Sequence, residues 1–225
     1  MKTREWAGLA LTGLSALAMM AAIYAALVYA PTERVMGALQ RIFYFHVPVA
    51  VVAFLSFGVS FVASIGYLAR GGRRWDQVAY AAAEIGEVFA SLVILTGMMW
   101  ARAAWNTWWT WDPRLTTTLV LWLIYAGYLI LRGSVEDEIR RARYSAVVAI
   151  LGFLDVPVVF MAIRWWRTIH PVVFDSSGVN LEPAMLSAFL ISLAAFVILY
   201  VALLLARVRQ ESLADEVEFL RRRVQ

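Results

Sequence analysis

No cysteine occurs anywhere in the 225 residues. Disulfides, thiolate metal sites and thiol chemistry on this chain are therefore excluded. Charge is also scarce. Asp, Glu, Lys and Arg make up 16% of the chain, whereas 62% is hydrophobic and the mean hydropathy is +0.71. Soluble domains carry about 25% charged residues, so the composition excludes an ordinary water-soluble fold and implies an integral membrane protein. Histidine is nearly missing, with only His46 and His170. No Gly-x-x-x-x-Gly-Lys run is present, so nucleotide-driven work would need a partner to supply the energy. The excess of basic over acidic residues, 20 to 16, needs no nucleic acid to explain it, because membrane spans flanked by arginine produce such an excess themselves. There is no internal repeat and no low-complexity segment.

What the chain does have is apolar length. A helix needs roughly 20 apolar residues to cross a bilayer, and six such stretches run at about 7–30, 43–69, 77–100, 115–131, 144–163 and 184–206. The expected fold is an all-α bundle of six transmembrane helices. The first stretch has signal-peptide character, with Lys2 and Arg4 ahead of an apolar run. It is nonetheless long, and Pro31 would occupy the first mature position, so it reads as a retained span. With the N-terminus placed in the cytoplasm, the inner segments hold Lys2 and Arg4; Arg70, Arg73 and Arg74; Arg132, Arg140, Arg141 and Arg143; and Arg207, Arg209, Arg221, Arg222 and Arg223. The outer segments hold Arg34, Arg41, Arg102, Arg114, Arg164 and Arg167. This bias predicts a multi-pass protein with both termini cytoplasmic. The membrane domain spans 1–206, with outer loops at about 31–42, 101–114 and 164–183. A helical tail, 207–225, has Leu213, Val217 and Leu220 at helical spacing and continues the last span along the surface or against a partner.

The same orientation gathers unusual residues outside. Trp105, Trp108, Trp109 and Trp111 fall within seven residues and are followed by Asp112, Pro113 and Arg114. An interfacial aromatic belt accounts well for Trp6, Trp75 and Trp122. For this cluster it explains membrane depth but not density. If the segment forms a short helix, Trp105, Trp108 and Trp109 share a face, and Pro113 ends the turn at Asp112. Such a shelf suits one large planar apolar ligand, and Trp165 and Trp166 extend it. His46 and His170 lie at the outer boundary, each close to a proline (Pro48, Pro171) that fixes the local backbone. Two imidazoles without carboxylate or thiolate company make a poor zinc site, which wants four ligands. They suit the two axial positions of heme iron. Arg114 and Arg102, Arg164 and Arg167, and Arg41 before His46 offer guanidinium for the two propionates or for lipid phosphate. Within the spans, Glu84, Glu87 and Asp155 are expected to be protonated or hydrogen-bonded to hydroxyls such as Ser56, Ser60 or Thr96, because no basic residue lies at matching depth.

These residues resemble the heme-handling membrane proteins of cytochrome c maturation, and within them the heme exporter protein C family. The family's loop reads Trp-Gly-x-Trp-Trp-x-Trp-Asp-x-Arg-Leu-Thr and stands here as Trp105-Asn106-Thr107-Trp108-Trp109-Thr110-Trp111-Asp112-Pro113-Arg114-Leu115-Thr116. Asn106 replaces the usual glycine, which puts one flexible backbone position in question. Arg41-Ile42-Phe43-Tyr44-Phe45-His46-Val47-Pro48 and Trp165-Trp166-Arg167-Thr168-Ile169-His170 add to the resemblance, which covers essentially the whole chain.

The resemblance implies a protein of the bacterial inner membrane that binds heme b at its outer, periplasmic face. His46 and His170 would be the axial ligands and the Trp loop would lie against the plane. It implies delivery of that heme to a periplasmic heme chaperone, and assembly with an ABC transporter (ATPase and membrane subunit) and a small single-span subunit. On this reading the chain is a binding and transfer protein rather than a turnover enzyme. A bis-histidine electron-transfer cytochrome and a heme-translocating transporter subunit are the alternatives. A cytochrome of that kind would place its histidines on facing spans within the membrane.

Overall fold

The structure is a computed structural model that describes residues 2–170, 174–175, 178–179 and 181–224. Among the described residues, six helical stretches are long and apolar enough to cross a membrane, as the hydropathy pattern predicts. They comprise α1 (Lys2–Tyr24), α2 (Phe43–Arg70), α3 (Arg73–Trp105), α4 (Pro113–Ser134), α5 (Glu138–Phe153) followed by α6 (Asp155–Trp165), and α7 (Pro183–Val224). The described residues also hold a 3-10 turn, Ala38–Ile42, that leads into α2, and a two-residue antiparallel pair, β1 (Phe174–Asp175) with β2 (Gly178–Val179). An even number of crossings puts both chain ends on the same side of the bundle. The tryptophan-rich segment 105–112 lies at the opposite end.

The helices run further than their apolar cores. Beyond α1 the chain widens into one π-helical turn, Ala25–Tyr29, closed by Ala30 N–H donating to the Ala25 carbonyl at 2.8 Å. Pro31 then stops it, since proline disfavours helical geometry in the residue before it. The fifth span is interrupted at Leu154. Pro157 has no N–H, and its ring crowds the carbonyl four residues back, at Phe153. The expected span at 144–163 is therefore two helices meeting at a kink.

α2 and α3 form an antiparallel hairpin through Gly71 and Gly72, both at positive φ. Its closeness follows from small residues. Ala79, Ala81, Ala82, Ala83 and Ala90 on α3 are buried. A Cβ on Gly86 would come within 2.5 Å of the Phe57 ring. Small side chains let membrane helices approach until backbone and side chain bond directly. Here Ser60 Oγ donates to the Ala79 carbonyl at 2.9 Å and Ser56 Oγ to the Ala82 carbonyl at 2.8 Å. Phe57 stacks on Tyr125 of α4 with centroids 3.8 Å apart. Together with Val52, Phe89, Leu121 and Phe196 they form the main core. A second core joins Ala26, Tyr44 and Phe189, closing α1 and α7 over the start of α2.

The end that carries the termini is held by ion pairs. Asp76 of α3 takes both terminal nitrogens of Arg132, at 2.6 and 3.0 Å, and Arg73 at 3.1 Å. Arg73 and Gln77 together hold Asp215 of α7, and Arg207 reaches Glu84 at 2.7 Å. Two expectations are corrected. Glu84 has a basic partner after all, because α7 brings Arg207 to its depth. The hydroxyls of Ser56, Ser60 and Thr96 do not serve the acidic residues: they bond the carbonyls of Ala82, Ala79 and Leu92, and Thr96 also meets His46. Trp75 packs over Gly66, and Trp122 Nε1 donates to Ser91 Oγ at 2.8 Å, so both also serve helix packing.

Candidate functional site

α3 ends at Trp105 because Asn106 adopts the left-handed conformation, φ 55° and ψ 27°. Glycine is the usual residue at such a helix stop and asparagine the next most tolerant. Asn106 thus keeps the backbone geometry that a glycine would supply. Arg102 closes the stop by donating to the Asn106 carbonyl at 2.9 Å and stacks over Trp108 at 5.9 Å. Residues 107–112 then run without helix to Asp112, the N-cap of α4, with Pro113 in the first turn. The segment is therefore not a short helix, and the three-tryptophan shelf does not form. Trp105 and Trp109 turn inward, while Trp108 is 55% and Trp111 75% exposed.

The inward side is a narrow cavity of about 50 Å³, well below the range typical of ligand sites, so a large planar ligand would have to part its walls. Both histidines line it. His46 comes from the first turns of α2 and His170 from the segment after α6, and the walls between them include Trp100, Trp105, Trp109 and Arg114. Trp100 was not singled out from the sequence, where it reads as the tail of the third span. It packs edge-on against Trp105 at 5.1 Å and lies 6.1 Å from the His170 ring. Phe54, Ile94 and Val159 complete the apolar lining.

Asp112 ties the two halves of the site together. One carboxylate oxygen accepts the Arg114 N–H at 3.0 Å, capping α4. The other accepts the Ile169 N–H at 3.1 Å, directly before His170. The His170 N–H in turn donates to Thr168 Oγ1 at 3.0 Å. Pro171 lies outside the described residues. The remaining candidates are placed around the cavity rather than in it. Trp165 and Trp166 pack edge-to-face with each other and are about half exposed. Arg41 donates to the carbonyls of Leu27 and Ala26, satisfying the end of the π-turn. Arg167 borders a shallow outer groove with Trp111 and Asp112. Arg114 is the one cation among the described lining residues.

Chemically, the cavity offers two imidazole nitrogens, three indole faces and one guanidinium, with no carboxylate in its lining. Among the described residues, no three His, Cys, Asp or Glu side chains converge as a metal site. A metal held here must bring further ligands of its own. The aromatic walls suit a flat apolar body and Arg114 an anionic edge.

These features define a polytopic membrane protein with a tryptophan-walled, two-imidazole cavity at one end of its bundle. The chain belongs to the heme exporter protein C family, whose model matches residues 2–223. It is 38% identical over 193 residues to heme exporter protein C of Bradyrhizobium diazoefficiens, covering 85% of this chain and 73% of that one. With the protein of the same name from Escherichia coli K12 it shares 32% over 186 residues, 80% and 74% of the two chains. With that of Rhodobacter capsulatus it shares 33% over 199 residues, 87% and 82%.

Proposed function

We propose that this protein binds heme b, as cargo, in the cavity between His46 and His170 and hands it to a heme chaperone on the periplasmic side of the bacterial inner membrane. The observation that carries the reading is that the chain's two imidazoles, far apart in sequence, line one cavity together with Trp100, Trp105 and Trp109. The lining side chains suit the group chemically, and the walls part to admit it. Porphyrin supplies the iron's four equatorial nitrogens and leaves two axial positions, which histidine commonly fills. Arg114 answers a propionate, and the indole walls exclude water from the ring. With both axial positions taken by imidazole, the metal offers no open position to oxygen.

The two ligands differ in how they are held. His46 belongs to a long helix packed tightly on α3. His170 sits outside the helices, on the longer outer loop after α6, where the Ile169 N–H donates to Asp112 and the His170 N–H to Thr168. Exchange therefore begins by release of His170, while His46 keeps hold until the acceptor has taken over. The Trp-rich end faces the periplasm and both termini the cytoplasm, in keeping with the arginine distribution. The ABC transporter subunits and the small single-span subunit of the pathway are the partners in this scheme. The tail beyond residue 206, pinned by Asp215 to Arg73, is the cytoplasmic end.

The test is the absorption spectrum of the purified protein. The wild type should carry six-coordinate, low-spin heme. His46→Ala and His170→Ala should each lose that signature, and the double variant should retain no heme. A double variant with an unaltered spectrum refutes the proposal.

A further inference from the structure

His46 is supported by α3 in a way that fixes its chemistry. Its Nδ1 lies 2.8 Å from Thr96 Oγ1. The Thr96 hydroxyl is itself 2.7 Å from the Leu92 carbonyl, one turn back on the same helix. A carbonyl can only accept, and a hydroxyl has one proton, so that proton belongs to Leu92. Toward His46, Thr96 is then an acceptor, and the proton between them sits on Nδ1. Imidazole in this tautomer bears its lone pair on Nε2, the other nitrogen of a ring that lines the cavity. The adjacent residue completes the cradle. A Cβ on Gly97 would lie 3.3 Å from His46 Cε1, tighter than ordinary van der Waals contact, so only glycine leaves the ring undisturbed.

We infer that Thr96 is a positioning residue for His46. It holds the ring as the Nδ1–H tautomer with Nε2 ready to bind, while Gly97 gives that ring its space. This rests on the proposed heme reading and extends it to residues outside the tryptophan motif. Such outer partners commonly orient a metal-binding histidine and raise its basicity. An imidazole that donates from Nδ1 gives more electron density through Nε2 and favours ferric over ferrous iron.

The experiment uses the full-length protein in detergent. In heme-free protein labelled with ¹⁵N-histidine, His46 should show the Nδ1–H tautomer in the wild type and lose that preference in Thr96→Val, which keeps the shape but removes the acceptor. After heme loading, Thr96→Val should bind ferric heme about 10-fold or more weakly and show a raised reduction potential. Thr96→Ser should restore both, and Gly97→Ala should weaken binding without changing the tautomer. If wild-type His46 carries its proton on Nε2, or if Thr96→Val matches the wild type in affinity and potential, the inference is overturned. Should Thr96→Val fail to fold, the wild-type tautomer and the Thr96→Ser potential still decide it. The heme reading fails separately, if the wild type takes up no heme.

Discussion

Asp112 uses its carboxylate twice, once to start a helix and once to hold the residue before His170. Losing a helix cap costs about 1 kcal/mol, a loss that the whole protein can bear. Losing the second bond frees the segment that carries a ligand. Asp112→Asn keeps a single acceptor oxygen and cannot serve both donors well. It should leave the melting temperature nearly unchanged while speeding the displacement of His170 by added imidazole, followed in the heme spectrum by stopped flow. Asp112→Ala should do this more strongly and also lower the melting temperature. Equal displacement rates in all three proteins would show that Asp112 only folds the loop. At this scale much was legible in the residues. Both histidines, Trp105, Trp109 and Arg114 stand out by rarity, density or position. Trp100 and Thr96 do not, because nothing local separates a tryptophan or threonine late in a span from its neighbours. Their roles depend on which helix lies opposite.

The elements themselves follow from hydropathy, but their ends do not. α3 extends several residues past its apolar core at each end because Asp76, Gln77 and Arg102 find partners on other helices or at the helix stop. Such partners have no signature in a one-dimensional profile. The same holds for the pairing of α2 with α3, which depends on the alanine- and glycine-rich face of α3 meeting Ser56, Phe57 and Ser60. Gly86 tests that pairing. A methyl group added there would meet Phe57 at 2.5 Å, and Phe57 cannot withdraw because Tyr125 is stacked on it. Overpacking of this kind costs about 1–3 kcal/mol. Gly86→Ala should therefore lower thermal stability in detergent and, by spreading the hairpin, weaken the His46–Thr96 contact and heme binding with it. Wild-type stability in Gly86→Ala would mean that α2 and α3 are packed less tightly than described.

For the molecule as a whole, the lack of cysteine becomes a tool, since any cysteine introduced is the only one. Trp111, 75% exposed beside the cavity, and Glu218, half exposed near the end of α7, lie at opposite ends of the bundle. In intact spheroplasts, a membrane-impermeant maleimide should label Trp111→Cys at once and Glu218→Cys only after permeabilisation. The reverse pattern would invert the topology. The two ends also differ in build. The end near Glu218 is cross-linked by Arg132, Arg73, Arg207 and their acidic partners, whereas the other is walled by indoles. The kink at Leu154 gives that difference a mechanical meaning. Below it, α5 packs on both α2 and α4; above it, α6 packs chiefly on α4. The wall that bears His46 and the wall that leads to His170 thus share a core at Val159 above one ion-paired base, and the non-helical segment 107–112 is the strap between them. A vise built this way can part at its mouth without loosening at its foot.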